Sequence, residues 1–593
     1  MNLCPALSVP VRVTTLCCLL VSVLLGGCGQ EEPAAEVAPA PSAESAPVAP
    51  APVAAQSADP VALSVEAIDE ADYRRHIEVL ASDAFGGRAP GTPGEDLTVD
   101  YLVKHFAGLG LAPANGDSYT QEVPLASVEL TNNPGLVIRG GEGGDLSLAY
   151  AVDQVMWTRR QVAQTALADS ELVFVGYGIN APERNWNDYA GVDVRGKTVV
   201  MLVNDPGYAT QDPALFNGNA MTYYGRWDYK FDEAARQGAA GAILIHDTLP
   251  AAYGWPTVVN SWTGPQLAMV LPDQGAGRGA DLAALEAWIT REAAANLFAR
   301  AGLDLEEMYR QAQRPGFTAV PMPLKATATL VNQVEQIQSQ NVAAILKGSA
   351  APEEVFIYMA HWDHLGTDPK LEGDNIYNGA LDNASGTAAL LEIAEAYATL
   401  PQAPRRSVLF LAVTAEEQGL LGSLHYAANP LFPLENTVGG LNMDGMNNVG
   451  ATRDITVIGL GMSDLDDYLA AAAAAQERVL AGDREAEKGY YYRSDHFELA
   501  KQGVPMLYPW AGYDNREKGV AYGMEKANEY TNDHYHRVSD EYDLSWDVSG
   551  ALEDMEMYFR TGLEVANGDG WPNWKEGTEF KARRDAQRQA AGQ

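Results

Sequence analysis

Imidazole and carboxylate side chains with the potential for metal chemistry gather in three short stretches of this sequence. They are His361 and Asp363 after the apolar run 355–360, Asp382 in the loop that begins at Gly379, and Glu416 with Glu417 shortly after the run 407–413. Together they supply nitrogen ligands, a carboxylate able to bridge two ions, and a pair of adjacent carboxylates. These are the ligand types of hydrolytic zinc sites, where a metal ion activates water. The pattern predicts a metallohydrolase and favours a peptidase.

The positions of these residues predict the fold that must hold them. From residue 341 onward, strand-length apolar runs alternate with segments of helical spacing, which is typical of an α/β domain. We expect a mixed, largely parallel central sheet flanked by helices. Functional residues of such sheets collect beyond the carboxyl ends of the strands. His361, Glu416 and Asp444 each follow a different predicted strand, so we expect them to meet at one edge.

Length, composition and charge limit the classes of function. A chain of 593 residues predicts more than one folded unit. With 40 basic against 79 acidic residues, the formal net charge is -39. Nucleic acids and anionic lipid surfaces should repel such a protein, so neither is an expected partner. A well-solvated surface accounts for the acidity, and attraction of cationic groups such as peptide N-termini is a second interpretation.

The N-terminal sequence predicts export. Arg12 is the only charge before the apolar run 13–25, which has the form of a secretory signal. The run ends Leu25-Gly26-Gly27-Cys28, which resembles the processing site of bacterial lipoproteins. The resemblance implies an exported lipoprotein whose only membrane attachment is a lipid on Cys28. Gly29 after the cysteine resembles lipoproteins of the outer membrane, facing the periplasm or the cell surface. A plain signal peptide and an anchoring helix are the alternatives.

Changes in composition divide the chain into six predicted segments. Residues 128–331 contain short β-like runs and resemble a protease-associated domain through Gly176-Tyr177-Gly178, Asp188-Tyr189, Gly196-Lys197 and the run 238–245. We interpret this β-rich domain as a structural insertion without chemistry of its own. The predicted segments are a signal peptide (1–27), an Ala/Pro-rich tether (28–60), the first part of a catalytic domain (61–127), the inserted domain (128–331), the main catalytic part (332–570) and a loosely held polar tail (571–593).

Taken together, the motifs resemble metallopeptidase family 28, the two-zinc exopeptidases of the aminopeptidase S and aminopeptidase Y type. The resemblance covers roughly residues 68–125 and 341–562. It implies two zinc ions, for which cobalt or manganese are alternatives. The implied metal ligands are His361 and Asp444 on one ion, Glu417 and His536 on the other, and Asp382 bridging both.

The resemblance also implies roles for residues beside the ligands. Glu416 would be the general base for a water lying between the ions, and Asp363 would orient His361. A cis peptide bond is implied between Asp382 and Asn383. The hydroxyl of Tyr535 is a candidate to polarise the substrate carbonyl, and a packing role for this ring is the alternative.

Two nearby histidines compete for the last ligand position. A histidine followed four residues later by aspartate is the family pattern, and His536 with Asp540 fits it. His534 does not fit this spacing, so we interpret it as a surface or hydrogen-bonding residue. His364 lies near the ligands and is interpreted as a pocket-lining residue.

An aminopeptidase acting on peptides with a free N-terminus is the first functional hypothesis. A carboxypeptidase that releases C-terminal acidic residues shares the architecture, and glutaminyl cyclase uses a similar fold with one zinc. A receptor-like binding protein with a decayed site is the alternative from a different class. Because candidates for all five ligand positions are present, the sequence favours the two-metal peptidase.

Overall fold

The computed structural model describes residues 61–273 and 277–590. The predicted signal peptide, the anchor at Cys28 and the tether lie outside these residues. Among the helices that are described, none is both long and apolar enough to cross a membrane. The described residues belong to one compact unit.

The first described segment packs against the catalytic core through three helices. Helix α2 begins after Asp69, whose side chain accepts hydrogen bonds from the Ala71 and Asp72 N–H groups. A 3-10 helix at Asp83–Arg88 and a short loop at 89–92 connect the second and third helices. The elements are α1 (Ala62–Val65), α2 (Glu70–Leu80), α3 (Pro93–Gly108), β1 (Ala112–Pro113) and β2 (Thr120–Leu130).

The middle segment contains a sheet of its own strands and six helices. Three of its strands, at Gln164–Phe174, Thr198–Leu202 and Gly241–Ile245, pair in parallel in this order. The strands are β3 (Leu136–Gly140), β4 (Leu146–Leu148), β5 (Gln154–Trp157), β6 (Gln164–Phe174), β7 (Asn180–Ala181), β8 (Trp186–Asn187), β9 (Thr198–Leu202), β10 (Gly241–Ile245), β11 (Gln266–Met269) and β12 (Leu285–Ile289). The helices are α4 (Pro206–Thr210), α5 (Trp227–Arg236), α6 (Thr248–Ala251), α7 (Trp255–Trp262), α8 (Arg291–Arg300) and α9 (Leu305–Ala312).

A single strand, β13 (Val320–Leu346), links the middle segment to the catalytic sheet. Its first part pairs with β6, its centre with β2, and its last residues with β17. The predicted boundary at 331/332 falls inside this strand, so the chain passes between the two parts without a break. Buried apolar clusters nevertheless differ on the two sides: one draws on residues between 136 and 330, and another on residues 73–111 and 342–566.

The catalytic part is a mixed, largely parallel sheet between helices, as predicted. Strands β21, β18, β14 and β17 are neighbours in this order and run parallel, and β13 closes the row antiparallel to β17. The strands are β14 (Ala351–His361), β15 (Gly366–Thr367), β16 (Ile376–Tyr377), β17 (Arg406–Val413), β18 (Thr437–Asn442), β19 (Asp454–Val457), β20 (Val479–Gly482), β21 (Met506–Leu507) and β22 (Pro509–Trp510). The helices are α10 (Gly386–Ala398), α11 (Leu421–Ala428), α12 (Leu465–Ala475), α13 (His496–Lys501), α14 (Gly519–Glu529), α15 (Ser549–Asn567) and α16 (Lys581–Ala590).

Burial on all sides explains why the central strands do not alternate polar and apolar residues and why helix α10 has no broad polar face. All eight residues of β17 are buried, because helices cover both faces of a parallel sheet. Helix α10 has eleven buried residues among thirteen, so it is apolar on nearly every side. This helix packs directly behind the loop that carries Asp382.

The C-terminal segment is packed, and the expectation of a loosely held tail is wrong. Trp574 and Phe580 join a buried apolar cluster with Phe497 and Tyr508. In α16 the Arg584 guanidinium is buried and donates to the Leu434 and Thr437 carbonyls. The polar composition concealed these anchors, because two aromatic residues and one buried arginine are enough to fix a short segment.

Candidate metal centre

The carboxyl ends of three parallel strands bring three predicted site residues together. Strand β14 ends at His361, Glu416 lies three residues beyond β17, and Asp444 lies two residues beyond β18. One ligand atom from each of these residues lies within 4.8 Å of the other two. The predicted convergence at one sheet edge is therefore present in the structure.

Asp382 lies between two sets of ligand atoms and offers one carboxylate oxygen to each. Its Oδ1 is 3.3 Å from His361 Nε2, which is itself 3.3 Å from Asp444 Oδ1. Its Oδ2 is 3.3 Å from His536 Nε2, which is 3.0 Å from Glu417 Oε2. All five predicted ligands therefore meet, and Asp382 is the residue shared by the two sets.

The spacing of these donor atoms suits zinc. Zinc bonds to imidazole nitrogen and carboxylate oxygen are about 2.0–2.2 Å long, and a tetrahedron with such bonds places neighbouring ligand atoms about 3.3 Å apart. The observed separations of 3.0–3.3 Å match that edge in both sets. Nitrogen and carboxylate ligands are also the types that zinc accepts. The residues present therefore fit two zinc ions that share Asp382.

The site concentrates negative charge in a buried place, and this affects the protonation of its residues. Burial raises the pKa of Glu416 well above its ordinary value; His361 opposes the shift, while Asp444 and Glu417 reinforce it. Burial alone would lower the pKa of His361, but Glu416 and the neighbouring aspartates outweigh it and raise this pKa. Like charges held this close favour either proton uptake or a bound cation.

Asp363 lies beside His361, but its carboxylate does not bond the ring. The nearest hydrogen-bonding contact of His361 Nδ1 is the Asp363 backbone carbonyl, at 3.2 Å. The Asp363 Oδ1 atom is 3.8 Å from the same nitrogen and accepts the Glu416 N–H at 3.1 Å. Asp363 thus fixes the backbone at Glu416 with its side chain, and contacts His361 with its main chain.

Backbone contacts hold the loop that carries Asp382. The Asp540 carboxylate accepts the Leu381 and Asp382 N–H groups, each at 3.0 Å. The peptide bond between Asp382 and Asn383 is cis, as the resemblance implies. The Asn383 side chain donates to the Met443 carbonyl and so ties this loop to the strand end beside Asp444.

His536 and Tyr535 approach the site from the loop after α14. His536 has a φ of 58°, a left-handed conformation that is uncommon outside glycine and that often marks functional loops. The Tyr535 ring stacks on the His536 ring with centroids 3.9 Å apart, and the tyrosine is 48% exposed. His534, in contrast, faces Ser539 and lies apart from both ligand sets.

Sequence reasoning underrated His364 and did not find Arg88. The His364 Nδ1 atom lies 2.5 Å from Glu417 Oε1, so Glu417 contacts one imidazole through each oxygen. His364 also forms a ligand group with Asp382 and Glu417. The sequence signal that could have identified His364 was its position three residues after His361 in the same loop.

Arg88 clamps the two loops behind the site. Its buried guanidinium donates to the Trp362 carbonyl beside His361, and to the Asn378 and Gly379 carbonyls before Asp382. A fourth bond goes to the Leu80 carbonyl at the end of α2. Nothing local in the sequence marks Arg88, because all these partners except Leu80 are more than 270 residues away.

Two hydroxyl groups orient Asp444. Ser494 donates to its Oδ2 atom at 2.6 Å, and Tyr508 donates to the same atom at 3.1 Å. The other carboxylate oxygen, Oδ1, faces His361 and is available to a metal ion. Ser494 therefore supports a candidate ligand, and the neighbouring Asp495 accepts a hydrogen bond from Ser423.

Comparison with known families adds to this geometry. Residues 341–559 match the model of peptidase family M28. The match covers β14, β17 and β18 and all five candidate ligands. Over this stretch the catalytic part is similar to the zinc metallopeptidases of that family.

Curated relatives match over short stretches of their length. Aminopeptidase NAALADL1 of Mus musculus is 35% identical over 138 residues, which is 22% of this chain and 17% of the relative. A probable zinc metalloprotease of Leptosphaeria maculans is 31% identical over 153 residues, which is 25% of this chain and 35% of the relative. The chain thus spans about a third or less of the length of these relatives.

Solved structures with a related arrangement include two bacterial aminopeptidases. An aminopeptidase from Aneurinibacillus sp. strain AM-1 is 21% identical, with a TM-score of 0.47, over 85% of this chain and 96% of that chain. A zinc aminopeptidase from Bacillus subtilis is 18% identical, with a TM-score of 0.39, over 86% of this chain and 97% of that chain. Sequence identities and TM-scores this low do not indicate which substrate this chain binds.

Proposed function

We propose that this protein is a two-zinc exopeptidase that hydrolyses the N-terminal peptide bond of peptides. The observation that carries the proposal is the position of Asp382, whose two oxygens face two separate ligand sets. A carboxylate shared in this way is what two metal ions close together require. The M28 family match over the same residues supports the peptidase class.

The residues of the chain divide the work of hydrolysis. Zinc ions bound at this site would supply an activated water and polarise the scissile carbonyl. Glu416, which lies beside His361 and Asp444, accepts a proton from the water and delivers it to the leaving amine nitrogen. The exposed Tyr535 hydroxyl donates a hydrogen bond to the carbonyl oxygen as negative charge develops there.

Supporting residues fix the geometry of these groups. Asp363 holds the Glu416 backbone, His364 and His536 hold Glu417, and Ser494 with Tyr508 holds Asp444. Such contacts orient the groups of a metal site, and loss of one typically costs about 10–100-fold in metal affinity or activity. The predicted anchor on Cys28 would place this activity at a bacterial envelope membrane, and remains a proposal.

Peptides blocked at one end test the direction of hydrolysis. The zinc-loaded protein is incubated with matched peptides that are free, N-acetylated or C-amidated, and the products are followed by mass spectrometry. Stepwise loss of N-terminal residues, absent from acetylated peptides, is the expected result. Loss of C-terminal residues would replace the proposal with a carboxypeptidase, and loss of ammonia from N-terminal glutamine with a glutaminyl cyclase. No product at all with zinc bound would favour a binding protein.

A further inference from the structure

A second polar cluster lies beside the metal centre and has no part in the mechanism above. Arg493 directly precedes Ser494, the residue that bonds Asp444. Its guanidinium lies over the ring of Tyr490, 5.6 Å from the centroid, and over that of Tyr253, 6.0 Å from the centroid. Tyr253 belongs to the middle segment, so Arg493 lies where that segment contacts the catalytic part.

The guanidinium of Arg493 has no anionic partner among residues 61–273 and 277–590. Its Nε and Nη2 atoms are buried and donate no hydrogen bond to any of these residues. A buried cation ordinarily has a paired carboxylate, because removing the charge from water is costly. An unpaired guanidinium therefore indicates a group that meets its partner only when a ligand binds.

A second arginine increases the positive charge of this cluster. Arg226 is 11% exposed and its nearest carboxylate oxygen, on Asp228, is 3.5 Å away. Burial lowers the pKa of Arg493, and the charge of Arg226 lowers it further. Of these two arginines only Arg226 has a carboxylate nearby, in a chain whose formal net charge is -39. This local excess of positive charge is contrary to the composition of the whole molecule.

Tyr535 connects the cluster to the metal centre. It interacts electrostatically with Arg493, and its ring stacks on His536. Arg493 therefore lies next in the chain to Ser494, whose hydroxyl bonds Asp444, and within electrostatic range of Tyr535. In a substrate bound at the metal centre, the two residues joined by the scissile bond would lie nearest to this cluster.

We propose that Arg493, assisted by Arg226, binds a carboxylate of the substrate, so that the enzyme prefers short peptides with a carboxylate next to the scissile bond. The inference rests on the exopeptidase function proposed above. Guanidinium binds carboxylate through two parallel hydrogen bonds, and more strongly than an ammonium does. The carboxylate has two sources: the α-carboxylate of a dipeptide, or the side chain of an acidic N-terminal residue.

Two matched substrate pairs distinguish these sources. The first pair is Leu-Ala and its C-terminal amide; the second is the amides of Glu-Ala and Gln-Ala. We expect wild-type protein to favour the carboxylate member of one pair by about tenfold or more in kcat/KM, as for hydrogen bonds to charged groups. A preference within the first pair identifies the α-carboxylate, and one within the second pair identifies the side chain.

Variants locate the preference on Arg493. In Arg493→Gln the ratio within the preferred pair should fall towards one, chiefly through KM, and Arg493→Lys should restore part of it. The control is Arg195→Gln, because Arg195 is exposed and paired with Asp193; its ratio should equal that of wild type. Circular dichroism checks folding, which loss of an unpaired buried charge should preserve.

Two results would overturn the carboxylate site. They are equal hydrolysis within both pairs by wild-type protein, and an unchanged ratio in Arg493→Gln. If wild-type protein hydrolyses none of the peptides, the exopeptidase proposal fails, and calorimetric binding of the same pairs decides the inference. Tighter binding of a carboxylate member that disappears in Arg493→Gln supports the site, and equal binding in both proteins refutes it.

Discussion

Glu416 and Glu417 are adjacent in the chain, but their carboxylates have different neighbours and therefore different roles. Glu417 contacts His364 and His536, one through each oxygen, which suits a metal ligand. Glu416 is anchored by its N–H to Asp363, and no imidazole pairs with its carboxylate in the described residues, which leaves the carboxylate available to take up a proton. Adjacent residues after a strand point in different directions, so one pair serves both functions.

The substitution Glu416→Gln tests this division of labour. Glutamine preserves the shape and removes the proton acceptor, so kcat should fall about a hundredfold or more while bound zinc stays unchanged. Steady-state kinetics and metal analysis measure the two quantities. Activity within about tenfold of wild type would remove Glu416 from the general-base role, and loss of zinc would indicate that it acts as a ligand instead.

At the scale of elements, Arg88 joins α2 to both loops that carry candidate ligands. Arg88→Met would leave four backbone carbonyls without their donor, and each unsatisfied buried group costs about 1–3 kcal/mol. We expect a fall in stability of at least about 3 kcal/mol and weaker zinc binding. Denaturant unfolding measures the first effect. The exposed Arg75→Met is the control, and equal stability of the two variants would contradict the clamp.

Helix α10 carries a buried acid whose ionisation should depend on folding. Burial raises the pKa of Glu392 from 4.5 to about 8, although the Asp69 N–H opposes the shift. A folded-state pKa above the unfolded value means that stability is fully present below about pH 4.5 and is lost as the pH rises through about 8. Glu392→Gln should therefore be more stable than wild type near pH 8.5 by a few kcal/mol, and similar near pH 4.5.

Melting temperatures recorded from pH 4.5 to 8.5 check this expectation. The exposed Glu78→Gln on α2 serves as the control and should follow the wild-type curve. Parallel curves for wild type and Glu392→Gln would show that Glu392 is ionised in the folded protein at neutral pH.

The sequence predicted the central elements better than their connections. Strands β14 and β17 were predictable because they are continuous apolar runs, and His361 and Glu416 because they follow those runs. The length of β13 was not predictable, since its alternating polar residues give no sign that five other strands pair along it. His364 and Arg88 act through contacts across the fold, which spacing along the chain does not encode.

At the scale of the whole molecule, the strong negative charge makes bound cations important for stability. The candidate metal centre holds four carboxylates within two adjoining sets. Removing zinc with a chelator should lower the melting temperature by several degrees, because ligands that bind only the folded state stabilise it. Restored zinc should reverse the change. A melting temperature that does not change on chelation or on addition of zinc would contradict a metal site in this position.

The central claim is that Asp382 joins two zinc ions, and zinc stoichiometry tests it most directly. We would measure zinc per chain by mass spectrometry of elements in wild type, Asp382→Ala and the exposed control Asp193→Ala. The account predicts about two zinc ions in wild type and in the control, and loss of both from Asp382→Ala. One zinc in wild type, or unchanged zinc in Asp382→Ala, would contradict it.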